Sequence, residues 1–300
     1  MSTPTGSAPA VAPGHWTVHA RTESDCYAHF APPTKPSSRR PNPRRRRGGK
    51  SDSLDAVHAA RAVLAADHTT TPRADGDREA LRILHACRRH YTDTRTATVN
   101  LFKSLILTAD DELRDQFRSR NTDQQVRLAA DLTAGENTDA LARPRRDQMA
   151  ALANHIRDLD RLLATNLRQI RDLVTAMCPP LLKQPGIGPV TAAVALISWS
   201  HHGRVRSKAA FAALAGVSPV PASSGRTVRH RLNRGGDRTL NAALHTIVTT
   251  RRRMKHAATS AYIARRTAEG LTPKEILPCL KRYTARQLFR LMQTTTTTHT

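Results

Sequence analysis

The chain has 300 residues, with 48 Lys and Arg against 24 Asp and Glu, a formal net charge of +24 and an isoelectric point near 11.4. That length admits two modest domains or one domain with arms, and a charge of that sign and size points to polyanions, DNA or RNA, as partners. No run of about 18 apolar residues occurs, which excludes a membrane-spanning helix from the reading, and the opening MSTPTGSAPAVAPGHW lacks the basic start and apolar core of a secretory signal, so a cytoplasmic protein is expected.

Residues 1–50 are rich in Pro, Ser, Thr and Arg and show no apolar period, so they read as a disordered basic arm. From Lys35 to Lys50 the arm carries eight basic residues and no acid, a composition suited to sequence-blind backbone binding or to a plain solvated tail. The string SDSLDAVHAARAVLAAD then predicts a helix entered through the polar cap Ser51, Asp52 and Ser53. Asp52 and Asp55, three apart, share one of its faces. TTTPRADGD breaks it, and a long helix is expected over 76–108 with Leu81, Leu84, Tyr91, Val99 and Leu101 among its apolar positions. Short helices follow in DDELRDQFRSR and TDQQVRLAADL.

The strongest period begins at Met149. Met149, Leu152, Ile156, Leu159, Leu163, Asn166, Ile170, Leu173 and Met177 are spaced alternately by three and four, the seam of a heptad coiled coil. Such a helix needs a partner, either a second subunit, giving a homo-oligomer through residues 149–177, or the helix over 76–108 of the same chain. Asn166 within the seam is a register device. Pro179 and Pro180 end the helix because they cannot continue its hydrogen-bond ladder.

Beyond them, LLKQPGIGPVTAAVALISW reads as helix, tight turn and helix, resembling a helix-hairpin-helix. Gly186 and Gly188 sit in that turn, and the amides from Ile187 to Val190 would face a phosphate at a helix N-terminus. After residue 239 three more helices are expected, in TLNAALHTIVTTRRRMK, HAATSAYIARR and PKEILPCLKRYTARQLFRLMQ, followed by a frayed tail. Cys26, Cys87, Cys178 and Cys279 show no paired ligand spacing, which argues against structural zinc and suits a reducing compartment.

Chemistry concentrates in PASSGRTVRHRLNRGGDR. Ser224 lies beside Gly225 in a segment whose Arg226, Arg229, Arg231, Arg234 and Arg238 crowd any anion placed there. A serine hydroxyl attacks phosphorus only when its charge is stabilised or its proton is taken, so arginines around it make chemical sense; taken alone, a serine in a turn is more often a turn former. Asp52 and Asp55 are carboxylates of the kind Mg2+ uses, and equally of the kind that begins a helix.

Two blocks of this sequence resemble a known family. RRRRGGKSDSLDAVHAARAVLA looks like the end of the RuvC-like domain of bacterial insertion-sequence transposases of the "one-ten" family, whose members use three aspartates and one glutamate. PGIGPVTAAVALIS followed by FAALAGVSPVPASSGRTVRHRLNRGGDRTLNAALHTIV is similar to that family's C-terminal transposase domain, which contains a DNA-attacking serine. The resemblance runs from about residue 44 to residue 292. It implies Mg2+ at Asp52 and Asp55 as the last two acids of the tetrad, with Ser224 as nucleophile. It also implies DNA and a structured guide RNA as partners, a homo-oligomer, and a place with the bacterial nucleoid. The first aspartate and the glutamate have no counterparts, because Glu23 and Asp25 are the sole acids before Asp52 and stand in no family motif. The expectation is therefore a mostly α-helical transposase that lacks most of the RuvC-like domain and is weak or inactive in strand transfer. Its parts would be a disordered basic arm (1–50), a RuvC-like remnant (51–75), a helical and coiled-coil region (76–180), a C-terminal transposase domain with a helix-hairpin-helix-like element (181–293) and a tail (294–300). The alternative is a non-catalytic DNA- or RNA-binding helical protein that co-assembles with intact transposases.

Overall fold

The computed structural model describes residues 52–65, 72–132, 141–221, 230–231, 233 and 235–296. The basic arm lies outside the described residues. The chain divides into two compact units, 1–69 and 70–300, and each is taken by itself. In the first, α1 (Asp52–Leu64) begins where the polar cap was expected, and Arg61 in its last turn complements the helix dipole. Its outer residues are exposed, Leu64 most of all.

The second unit is mostly α-helical, as expected. It opens on α2 (Asp77–Leu107), which starts after Gly76 in the left-handed region (φ 65°) and carries Asp77 and Glu79 in its first turn. Two short helices follow: α3 (Asp111–Phe117), capped by the Asp110 carboxylate accepting from Leu113 N–H, and α4 (Thr122–Ala130), closed by a reciprocal Asn121–Gln124 capping box. Then comes α5 (Ala142–Met177), 36 residues long and packed along α2. Among its seam residues Met149, Ile156, Leu159, Asn166 and Ile170 are buried within the single chain. Within the chain the seam closes against α2 and, near its start, against α4, which is the intramolecular pairing of the two that the period allows. Burial passes from Leu152 to Ala153 at one end and from Leu173 to Val174 at the other. That drift is what a straight 3.6-residue helix does to a 3.5-residue repeat.

Two polar links hold the register of this hairpin. Asn166 Nδ2 donates to Leu84 O (2.9 Å), and Arg88 donates back to Leu163 O (3.0 Å). Arg95 adds a forked pair with Asp160. At the far end Phe102, Ile106, Leu113, Phe117, Val126, Met149 and Ile156 form one apolar cluster, with Phe102 and Phe117 edge to face at 6.2 Å. Leu101, one of the apolar positions of the expected helix, is exposed, and its neighbour Phe102 is the buried one.

After Cys178, Pro179 starts the one-turn α6 (Pro179–Leu182). The centre of the remaining fold is α7 (Pro189–Trp199), whose Ala192 to Leu196 are all buried because α2, α5 and α9 pack around it. Around it lie α8 (Lys208–Leu214), a two-residue antiparallel ladder β1 (Val220–Pro221) with β2 (His230–Arg231), α9 (Arg238–Arg253), α10 (Ala257–Ala268) and α11 (Pro273–Thr296). The helix α11 runs past the expected end of the domain. Thr294 and Thr295, read as tail, are helical and bond back to carbonyls one turn earlier, and Thr295 Oγ1 lies 3.4 Å from Cys178 Sγ. No described helix is long and apolar enough to cross a membrane.

Candidate functional site

Ser224 belongs to a connection whose two ends are fixed. Pro221 pairs with His230 and Val220 with Arg231, so the chain leaves and re-enters at one two-residue ladder. Ser224, Gly225, Arg226 and Arg229 fall in residues 222–229, and with Arg234 they lie outside the described residues. Arg231 stands in β2.

The base of that ladder is built by backbone approach. Gly216, after α8, adopts φ 67°, a left-handed turn that glycine enters without a Cβ clash. It lies against Gly236, where an added Cβ would sit 2.3 Å from Gly216 N and 2.4 Å from Gly216 Cα. The next residue, Asp237, is bonded at three points. Its N–H donates to Leu214 O (2.7 Å), its Oδ1 accepts from Thr239 and Leu240 N–H at the start of α9, and its Oδ2 accepts from Ser198 Oγ (2.9 Å). Asn241, one turn into α9, donates to Ala215 O (2.8 Å) and accepts from Lys281 Nζ (2.8 Å). Burial holds that ammonium below the usual lysine range. Three helices, α8, α9 and α11, thus meet where the connection begins and ends.

Arg238 is exposed at the first position of α9, at the positive end of the helix dipole, where a cation opposes the field. The Asp237 cap supplies the compensation. The sole acid among residues 201–255 is therefore engaged within the fold, and the segment contains no second carboxylate for its arginines.

The turn between α6 and α7 has the helix, turn and helix shape expected, but its amides are used differently. Gly186 adopts φ 75° and a Cβ there would meet Arg251 Cγ at 2.9 Å and Ile247 O at 3.1 Å. The buried Arg251 of α9 explains that closeness: its Nε donates to Pro185 O (2.8 Å) and Nη1 to Gln287 Oε1 (3.1 Å), while Gln287 donates on to Gln184. Ile187 N–H is taken by Gln184 O, Gly188 N–H by Thr191 Oγ1 (3.1 Å), and Pro189 has no N–H. Of the three N–H groups between Ile187 and Val190, two are thus taken within the turn itself. Gly186 and Gly188 serve the turn itself and edge a shallow groove shared with Thr246 and Thr250.

Asp52 opens α1 and Asp55 lies in its first turn; their side chains lie outside the description. Among the described residues no group of three or more His, Cys, Asp or Glu gathers as a metal site. Two carboxylates on one turn supply only part of a Mg2+ shell, and any further donors from residues 1–51 lie outside the described residues.

Sequence reasoning missed Gly236, Asp237, Asn241 and Arg251. The Gly-Gly-Asp before a helix was their one visible sign, since it combines a site of close approach with an N-cap.

Two family models match the chain. A model of transposases of the IS116/IS110/IS902 family matches residues 178–264, which hold the turn, the ladder and the stapled start of α9. A DEDD transposase model of IS110 matches residues 12–109, which takes in α1 and extends upstream of the point where the resemblance is legible in the sequence. No curated protein matches the chain.

Proposed function

From a chain that carries the two transposase domains of the IS110 family, the DEDD domain first and the IS116/IS110/IS902 domain second, which implies DNA transposition and with it DNA binding, we propose a serine-dependent recombinase of an insertion sequence. Ser224 Oγ attacks a phosphodiester phosphorus; a new O–P bond forms as the bond to a deoxyribose oxygen breaks, and the serine proton ends on the departing oxygen. Arg226, Arg229, Arg231, Arg234 and Arg238 neutralise the charge that grows on the phosphoryl oxygens. A second DNA hydroxyl then attacks the same phosphorus, joins the strands and frees the serine. The observation that supports this reading is the anchoring of the connection that contains Ser224: a ladder, a glycine contact and a capped helix meet at its ends. Preorganisation of that kind is what a nucleophile on a loop requires.

A structured guide RNA and further copies of the chain are the partners in this reading. No step is assigned to Mg2+, because the donor set is incomplete among the described residues. The balance of residues 201–255, twelve Lys and Arg against Asp237 alone, fits a second reading as well: a DNA- or RNA-binding protein that co-assembles with intact transposases and joins nothing itself. The two separate in a strand-transfer assay with guide RNA, donor, target and Mg2+. Joining that Ser224→Ala abolishes supports the recombinase; DNA binding with no joining, the same in both proteins, supports the second.

A further inference from the structure

The helix α2 has a basic face that no step above uses. Arg82, His85 and Arg89 recur at spacings of three and four, which brings them to one side of the helix. With His90 and Asp93 they line an open groove whose far wall includes Thr239, the second residue of α9. Arg82 and Arg89 are exposed and His85 is half-buried.

The acids near this groove leave it positive. Glu79 is divided between two guanidinium groups, accepting from Arg78 Nη1 (2.8 Å) and Arg82 Nε (2.7 Å). Asp237 is committed to the α9 cap and Ser198. Asp93 stands 3.9 Å from Arg89 Nε with both side chains largely in solvent, a distance and exposure at which pairing is weak. One turn before Arg82, the guanidinium of the buried Arg78 has an Nη2 with no acceptor among the described residues. The ordinary reading of arginines on a helix is a solvated face. Here they line an open, shallow groove, and its far wall includes Thr239 at the start of α9, the helix to which the chain returns from the Ser224 connection.

We propose that this groove docks the phosphodiester backbone of duplex DNA, so that one strand runs along α2 past the start of α9. From Arg82 to Arg89 is about 10 Å of helix, the axial length of about three phosphates on one strand. The proposal rests on the nucleic-acid reading above and adds the surface, which lies on the α2 segment ahead of the seam helix.

The test is fluorescence anisotropy of the full chain against two probes, a mixed-sequence duplex DNA and an RNA hairpin, across a salt series. Arg82→Gln/Arg89→Gln is expected to weaken binding about tenfold or more and to lower the slope of log affinity against log salt by about two. Arg89→Gln/His90→Gln leaves the Glu79 pairing intact and should weaken binding in the same direction, while Asp93→Asn should tighten it. Arg118→Gln/Arg120→Gln, exposed arginines next to α3, should leave affinity nearly unchanged. Loss with the duplex DNA, alone or together with the RNA hairpin, supports the proposal, and loss with the RNA hairpin alone overturns it. A steep salt dependence that is the same in the wild-type chain and all groove variants overturns the proposal, as does an equal loss in the control. A wild-type chain that binds neither probe would instead remove the nucleic-acid reading beneath it.

Discussion

The α2–α5 hairpin and the base of the Ser224 connection are held by opposite means. In the hairpin, side chains interdigitate along a stripe: Met149, Ile156 and Ile170 are buried, and two side chain to backbone links fix the register. At the connection the closest contacts are between backbones, Gly216 on Gly236 and Asp237 N–H on Leu214 O, and although Asp237 and Asn241 add side-chain hydrogen bonds, the glycine contact itself has no side-chain volume to adjust. A side-chain interface can lose a methyl group and relax in part. A backbone contact closer than a Cβ can fit has no such range. The hairpin should therefore respond to mutation by degrees and the base of the connection in one step.

The largest expected effect follows from that difference. Gly236→Ala would drive a Cβ to 2.3 Å from Gly216 N, and the strand ladder or the α9 cap must move to admit it. A loss above about 3 kcal/mol is expected in urea denaturation. Gly188→Ala, where nothing lies within 4 Å of the added atom, should cost no more than about 1 kcal/mol. Equal losses for the two glycines would erase the distinction between the regions.

The hairpin supplies the intermediate case. Ile156→Val should cost about 1 kcal/mol and Ile156→Ala about 3 kcal/mol, a graded series read from the denaturation midpoints. A chain that loses its fold already at Ile156→Val would show that the seam is as exacting as the glycine contact.

The smallest effect concerns acid. Burial, and then Arg89 and Arg88, hold the His85 imidazole below its ordinary value of 6.5, so its charged form is disfavoured in the fold. The unfolded chain then takes up this proton at a higher pH than the folded one. The stability is complete above about 6.5, falls as pH drops through the unfolded value, and stops falling once the folded imidazole is protonated as well. Melting temperatures between neutral and mildly acid pH should decline, and His85→Gln should flatten part of that decline. An unchanged slope in His85→Gln would place the acid sensitivity elsewhere, His256 being the next histidine with a lowered value.

The same contrast explains what could be read from the sequence. Periodicity is written in the residues, and so the long helices, the seam, the break at Cys178 and the turn at Gly186 were visible before the fold. What the period left open was the partner of the seam, because an apolar stripe states that something covers it and not which chain does so. The Ser224 connection was visible by its composition and by the family it resembles. Its foundation was not, since Gly236 reads only as glycine until Gly216 is placed against it. The hairpin amides were misjudged for a similar reason: Thr191 Oγ1 and Gln184 O reach them only in three dimensions.

The two-residue ladder has an engineering consequence. Because Pro221 faces His230, the excursion between them begins and ends at a single junction, and nothing downstream changes register when its length changes. Doubling such an excursion adds only about 0.6 kcal/mol of closure entropy. The junction of Pro221 with His230 is therefore the place to splice: a stretch of other length or chemistry set between those two residues inherits the mounting that the ladder and the Gly216–Gly236 contact provide.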